Sequence, residues 1–197
     1  MVTTSFVRRY VILLLLIPLG YLVQVCVIPY VRIFDVAPNL LYAIIAIVTV
    51  AYGKLQAFWV GVCYGLLLQV MCPSVSYLNL AIYTITALFC SFPFADRPLK
   101  SIEYDRALAR KRKEMPAPVR TVLCAFLNIL IYETVQVTYI YIGGSPLTVG
   151  HFLRAGIDIV TTCLLTALLM FPLRRLILGR RIDTPEVTIA PVVFKAR

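Results

Sequence analysis

The sequence predicts an all-α integral membrane protein with six transmembrane helices packed in one bundle. Of its 197 residues, 61% are hydrophobic and only 14% are charged, whereas soluble domains average roughly 45–50% apolar and about 25% charged residues. Long apolar runs recur along the chain, and a helix needs about 20 residues to cross the bilayer. These runs lack the two-residue alternation of a membrane β-barrel, so helices must satisfy their backbone groups in lipid.

Turn-forming and charged residues divide the chain into the predicted spans. Such residues interrupt the apolar runs at 29–38, 53–54, 72–76 and 143–150. The resulting single membrane domain has spans at 6–28, 39–52, 55–71, 77–94, 119–142 and 152–173, a hydrophilic loop at 95–118 and a tail at 174–197.

The basic residues predict the orientation. The formal net charge is +10, which in a soluble protein would suggest a nucleic-acid partner. In the six-span layout, every Lys and Arg except Arg32 and Arg154 lies on one side. The positive-inside rule makes that side cytoplasmic. We therefore expect a multi-pass protein of the bacterial inner membrane with both termini in the cytoplasm, an uncleaved first span and no nucleic-acid partner.

The sequence carries no pattern typical of catalysis or metal binding. Its six cysteines are scattered and form no CxxC pair, and His151 is the only histidine. The HExxH, P-loop and GxGxxG motifs are absent from the sequence. We therefore expect no catalytic site, no metal and no cofactor.

Small residues recur every four positions along the third predicted span, at Gly53, Ala57, Gly61 and Gly65. Residues four apart share one helix face, and small side chains let membrane helices approach closely. This face is either a packing surface inside the chain or a docking surface for another subunit.

The last two spans each carry a polar face. Carboxyl groups at membrane depth must face a bundle interior, a cavity or a partner. These faces therefore form either a substrate or proton site, or a set of interhelical hydrogen bonds. We expect Glu133 and Asp158 to lie at different depths without a Lys, Arg or His partner, which argues against an enzyme that pairs them. The candidate polar cluster is Asn128, Tyr132, Glu133, Gln136, Asp158 and Thr162.

The hydrophilic loop contains a run of basic residues, Arg110, Lys111, Arg112 and Lys113. Such a run attracts anionic lipid head groups by about 1 kcal/mol per residue. It is a candidate surface for lipids or for the cytoskeleton, and the alternative is that it only determines topology.

The stretch from Gln24 to Cys90 carries a set of short motifs. Gln24 lies near the end of the first span, residues 38–41 read PNLL, and residues 65–69 read GLLLQ after a glycine-punctuated span. In these motifs the stretch resembles the MreD family of rod shape-determining membrane proteins. Gln69 stands where the family usually has an acidic residue. The candidate face for a partner or for helix packing is Pro38, Asn39, Gly53, Ala57, Gly61, Gly65, Gln69 and Asn79.

The resemblance implies a scaffold of the cell-wall elongation machinery that pairs with the single-span protein MreC. The wider complex of that family includes MreB, RodA and a class B penicillin-binding protein. The family fold resembles the substrate-binding S-components of energy-coupling-factor vitamin transporters.

This similarity leaves open an alternative function as the solute-binding subunit of a vitamin-type transporter, with its site at the polar cluster. The AxxxA docking motif of such subunits is absent from the first span, which counts against the alternative.

Overall fold

The computed structural model describes residues 2–71, 77–95, 115–144 and 146–178. The chain is all-helical over these residues, as the sequence predicts, apart from turns and one isolated backbone bridge in a loop. The helices are α1 Val2–Cys26, α2 Leu40–Tyr52, α3 Lys54–Met71, α4 Leu78–Phe94, α5 Ala117–Ile142 and α6 Val149–Leu178.

Four of these segments are long and apolar enough to cross a membrane. They are α3, α5, α6 and the stretch Tyr10–Tyr30, which combines most of α1 with a short 3-10 turn. Helices α2 and α4 are apolar but shorter, with 13 and 17 residues. These lengths and compositions fit a multi-pass membrane protein.

The last helix, α6, extends beyond its predicted span of 152–173 at both ends, and it begins at Val149. Helix α6 runs to Leu178 instead of ending at 173, so Arg174 and Arg175 belong to the helix and not to the tail. The helix continues through Pro172, which membrane helices tolerate because neighbouring groups satisfy the freed backbone atoms. The basic run at 110–113, the loop residues 96–114, the predicted turn at 72–76 and the tail beyond Leu178 lie outside the described residues.

Helix α2 forms the centre of the described bundle. Every residue from Leu40 to Val50 is buried, and α2 contacts each of the other five helices. A helix that is apolar on all sides is typical of such an interior position. Other helices therefore surround α2 along its buried length, although it is shorter than a typical membrane span.

The small-residue face of α3 packs against α4 within the chain. A Cβ added at Gly61 would lie 2.6 Å from the Ala87 Cβ and 2.8 Å from the Tyr83 carbonyl oxygen, and one at Gly65 would lie 2.8 Å from the Leu80 Cα. Gly53 forms the tight α2–α3 turn with a φ of +98°. The face at Gly61 and Gly65 is thus a helix-packing face, and α4 closes it to another subunit.

Candidate functional site

A polar cavity of about 380 Å³ lies between α1, α5, α6 and the start of α2. Its volume is within the range of about 300–1,000 Å³ that small-molecule pockets span. The polar residues that line it are Gln24, Asn39, Tyr132, Glu133, Gln136, His151, Arg154 and Asp158.

The cavity lies at one end of the bundle, which we call the Asn39 end. Helix α2 begins there, α5 ends there and α6 begins there. The opposite end, the Lys54 end, carries Lys54 at the start of α3, Arg120 in the first turns of α5 and Arg174 near the end of α6. The cavity and these basic side chains therefore lie at opposite ends.

Asn39 connects three helices at the cavity. As the N-cap of α2, its Oδ1 accepts from the Tyr42 N–H at 3.4 Å. Its Nδ2 donates to the Tyr83 hydroxyl of α4 at 2.9 Å, and its backbone N–H donates to Thr162 Oγ1 of α6 at 2.9 Å. These hydrogen bonds fix the start of α2 against α4 and α6, because a buried polar group left without its hydrogen bond costs free energy.

Gln24 connects α1 to the same corner. Its Oε1 accepts from the Leu40 N–H at 2.7 Å, and its Nε2 donates to the Pro38 carbonyl at 3.5 Å. The Leu40 N–H belongs to the first turn of α2, where backbone donors have no partner inside the helix. Gln24 and the PNLL segment therefore form one structural unit.

The two carboxyl groups meet in the cavity. Glu133 and Asp158 line the same cavity from neighbouring helices, and the Thr162 hydroxyl donates to Asp158 Oδ1 at 3.0 Å. The expectation that they lie at different depths was wrong. Glu133 precedes the end of α5 by nine residues and Asp158 follows the start of α6 by nine, so consecutive antiparallel helices bring them to one height.

Two cationic or titratable side chains join this pair. Arg154 lies one turn before Asp158 on α6, and its positive charge acts on both carboxyl groups. His151 lines the same cavity, and its Nδ1 accepts from the Thr148 N–H at 3.2 Å. The sequence predicts no Lys, Arg or His partner for these carboxyl groups, but α6 begins at Val149 and carries His151 and Arg154 into the same cavity lining.

A tyrosine cluster links the cavity wall to the core. The rings of Tyr42 and Tyr83 stack with centroids 4.4 Å apart and planes 3° from parallel. The ring of Tyr132, which lines the cavity, packs against them at 5.4 Å and 6.1 Å. Aromatic pairs at such distances add about 0.5–1.5 kcal/mol beyond their burial, so this wall of the cavity is held by packing.

Other predicted site residues lie away from the cavity. Asn128 is buried and its amide donates to the Cys124 carbonyl at 2.8 Å, within its own helix. Asn79 is buried on α4, beside Gly65, while Gln69 is half-buried near the end of α3. These residues belong to helix packing and not to the polar cavity.

The cavity thus offers hydrogen-bonding amides together with two carboxyl groups and a guanidinium, a set suited to binding a small charged or polar molecule. In the part of the chain that the structure describes, no three His, Cys, Asp or Glu side chains come together to hold a metal ion. No protein-family model, curated protein or solved structure matches the chain.

Proposed function

We propose that this chain is a non-enzymatic scaffold of the MreD type, which holds an MreC-like single-span partner in the bacterial inner membrane. The observation that carries the proposal is the bond between Gln24 and the start of α2. Two of the motifs behind the family resemblance are Gln24 and the PNLL segment, and Gln24 contacts both Pro38 and Leu40 across 14 and 16 residues of sequence. Contact between these two motifs is expected if they form one local structure, and it supports the resemblance beyond a chance likeness of apolar segments.

We further propose that all six helices cross the membrane, in an arrangement like that of the S-components. The basic side chains at the Lys54 end support a cytoplasmic position for that end, by the positive-inside rule. The cavity then opens toward the exterior. On this proposal, the basic run Arg110–Lys113 is cytoplasmic, where it would meet lipids or the MreB-containing complex, and RodA and a class B penicillin-binding protein belong to the wider assembly.

An exposed turn beside the cavity offers a surface for a partner. The faces first considered are closed, since Pro38 and Asn39 are buried and α4 covers Gly61 and Gly65. The segment 30–36, which we call the aromatic turn, instead presents Tyr30 and Phe34 with exposed fractions of 89% and 83%.

The aromatic turn has a fixed and unusual backbone. Ile33 and Val36 exchange two backbone hydrogen bonds of 3.0 Å and 3.1 Å, and Phe34 and Asp35 between them have φ values of 53° and 62°. A bulky residue at positive φ is an outlier, and such strain concentrates at functional sites. A groove of about 210 Å³ between this turn and the start of α6 adds apolar surface from Leu153 and Ile157. We therefore assign the partner contact to the aromatic turn.

Co-purification tests this proposal. We expect the tagged chain to retain an MreC-like single-span protein, and the double variant Tyr30→Ser with Phe34→Ser to retain at least tenfold less. Buried aromatic anchors contribute about 2 kcal/mol or more each, and each 1.4 kcal/mol is about tenfold in affinity.

The matched control is Tyr139→Ser with Tyr141→Ser, which removes two exposed tyrosines near the end of α5. This control variant should retain the partner fully. Failure of the unmodified chain to capture any such protein would overturn the scaffold proposal, and equal losses in both double variants would overturn the assignment of the aromatic turn.

The cavity favours a second candidate function, a solute-binding subunit of a vitamin-type transporter. Its volume and its polar lining are those of a small-molecule site. A thermal-shift screen with vitamins tests this candidate, because a ligand at 100 times its dissociation constant stabilises the fold by about 2.7 kcal/mol. A screen without any shift would remove it.

A further inference from the structure

We infer that the cavity binds a compact zwitterion, whose ammonium group pairs with the Glu133 and Asp158 carboxyls and whose anionic group pairs with Arg154. This inference rests on the second candidate function, which makes the cavity a solute site, and it names the chemical class of the solute. It does not depend on the identity of the scaffold's partner.

The negative pole consists of the two adjoining carboxyl groups. Asp158 is only 8% exposed, and the Thr162 hydroxyl fixes its Oδ1 at 3.0 Å. Glu133 lines the same cavity from α5. Two adjoining carboxyl groups in poorly solvated surroundings cannot both ionise unless a positive charge balances them. A proton held between them or a bound ammonium group can supply that charge, and an ammonium group can donate hydrogen bonds to both carboxyl groups.

The positive pole is the Arg154 guanidinium. Arg154 is exposed, yet it lines the cavity and its charge reaches both carboxyl groups. It is four residues from Asp158 on α6, so the two Cβ atoms lie about 5–6 Å apart on one helix face. Guanidinium groups bind carboxylates and phosphates through paired hydrogen bonds, which suits the anionic end of a short zwitterion.

The remaining lining restricts the size and polarity of the ligand. The cavity has about 380 Å³, near the lower end of the range for ligand pockets. Gln136 adds an amide that can both donate and accept, whereas Gln24 and Asn39 already hold the start of α2. Two sources share this chemistry: free amino acids, and the phosphoethanolamine head group of a lipid.

The test measures thermal unfolding of the full chain in a neutral detergent. Glycine and phosphoethanolamine are the zwitterionic probes, and ethanolamine, acetate and methyl phosphate each carry one pole only. We expect at least one zwitterion to raise the melting temperature, with an apparent affinity at least tenfold above that of its single-pole analogues. A zwitterion that binds no better than those analogues would overturn the inference.

Two variants locate the binding. Arg154→Gln and Asp158→Asn are each expected to weaken binding of the zwitterion at least tenfold. The matched control Arg174→Gln alters an arginine at the Lys54 end, away from the cavity lining, and should leave binding unchanged. Because Arg154 is exposed, its variant should fold even if Asp158→Asn does not. Equal affinities of Arg154→Gln and Arg174→Gln would place the ligand elsewhere and overturn the inference.

Two further measurements distinguish a free solute from a lipid head group, and the zwitterion inference from the solute-binding candidate function. Weaker glycine binding in phosphatidylethanolamine nanodiscs than in phosphatidylglycerol nanodiscs would identify the lipid head group as the occupant, and equal binding would identify a free solute. A vitamin that shifts the melting temperature when no zwitterion does would overturn the ligand class and leave the solute-site candidate intact. No shift with any compound would overturn both, and the scaffold proposal would still be tested by co-purification.

Discussion

Replacing Gly61 by alanine is expected to lower the free energy of unfolding by about 1–3 kcal/mol, the usual penalty of an extra methyl group in a packed core. The new Cβ would lie 2.6 Å from the Ala87 Cβ and 2.8 Å from the Tyr83 carbonyl oxygen. The second neighbour is helix backbone and can move only if α3 and α4 separate, so we expect the upper part of that range. Thermal unfolding of the purified chain in detergent measures the change.

Gly156 provides the matched control. It also lies inside a helix, but a Cβ there would meet nothing within 4 Å. Because alanine favours helix over glycine by up to about 1 kcal/mol, Gly156→Ala should be neutral or stabilising. Adding Ala87→Gly to Gly61→Ala removes one of the two close contacts and should restore part of the loss. A Gly61→Ala variant as stable as the unmodified chain would refute the α3–α4 packing described above.

Replacing Asn39 by alanine is the second large expected effect, a loss of about 2–4 kcal/mol. The cap of α2 contributes about 1 kcal/mol, and a buried Tyr83 hydroxyl left without the Asn39 amide costs about 1–3 kcal/mol. Asn39→Ser keeps a capping oxygen but cannot reach Tyr83, so its stability should lie between the two. Denaturant or thermal unfolding ranks the three proteins.

A second substitution separates the two contributions of Asn39. Tyr83→Phe removes the hydroxyl that Asn39→Ala leaves unsatisfied, and replacing both partners of a hydrogen bond is far less costly than removing one. The double variant should therefore be more stable than Asn39→Ala alone. If Tyr83→Phe instead adds its own loss to that of Asn39→Ala, the bond between the two side chains does not contribute as described.

The helices follow from the sequence because apolar runs and their breakers are local signals. The second predicted span, 39–52, is found at Leu40–Tyr52, since Asn39 is a good cap and Gly53 accepts a positive φ. The end of α6 does not follow, because the predicted span stops where the basic residues begin at Arg174, whereas the helix continues through Arg174 and Arg175 to Leu178. The interior position of α2 depends on how the helices pack, which no single segment encodes.

The sequence predicts the carboxyl and amide residues of the candidate site but not its arginine and histidine. The polar faces of the last two spans identify Glu133, Gln136 and Asp158, and the structure brings them to one cavity. The six-span layout places Arg154 on the outer side of the membrane. It lies four residues before Asp158, and His151 lies seven residues before it, so all three share one helix face. That signal becomes visible only once the helix is known to start at Val149.

Gly20 shows a different limit of sequence reasoning. A Cβ there would lie 2.5 Å from the Ile44 Cδ1 and 2.6 Å from the Tyr64 hydroxyl oxygen. It stands alone in the first span, without the four-residue repeat that marks Gly61 and Gly65. Its role comes entirely from side chains of α2 and α3, so only the tertiary structure identifies it.

The proposed six crossings are tested most directly by the sidedness of Lys54 and Tyr77. If only the four long helices crossed, these two positions would exchange sides, whereas the sides of the termini would not change. Single cysteines at the two positions, in a chain whose own cysteines are replaced by alanine, can be labelled with a membrane-impermeant maleimide. We predict that Tyr77→Cys reacts in intact cells and that Lys54→Cys reacts only after permeabilisation. Labelling of Lys54→Cys in intact cells, with protection of Tyr77→Cys, would contradict the account.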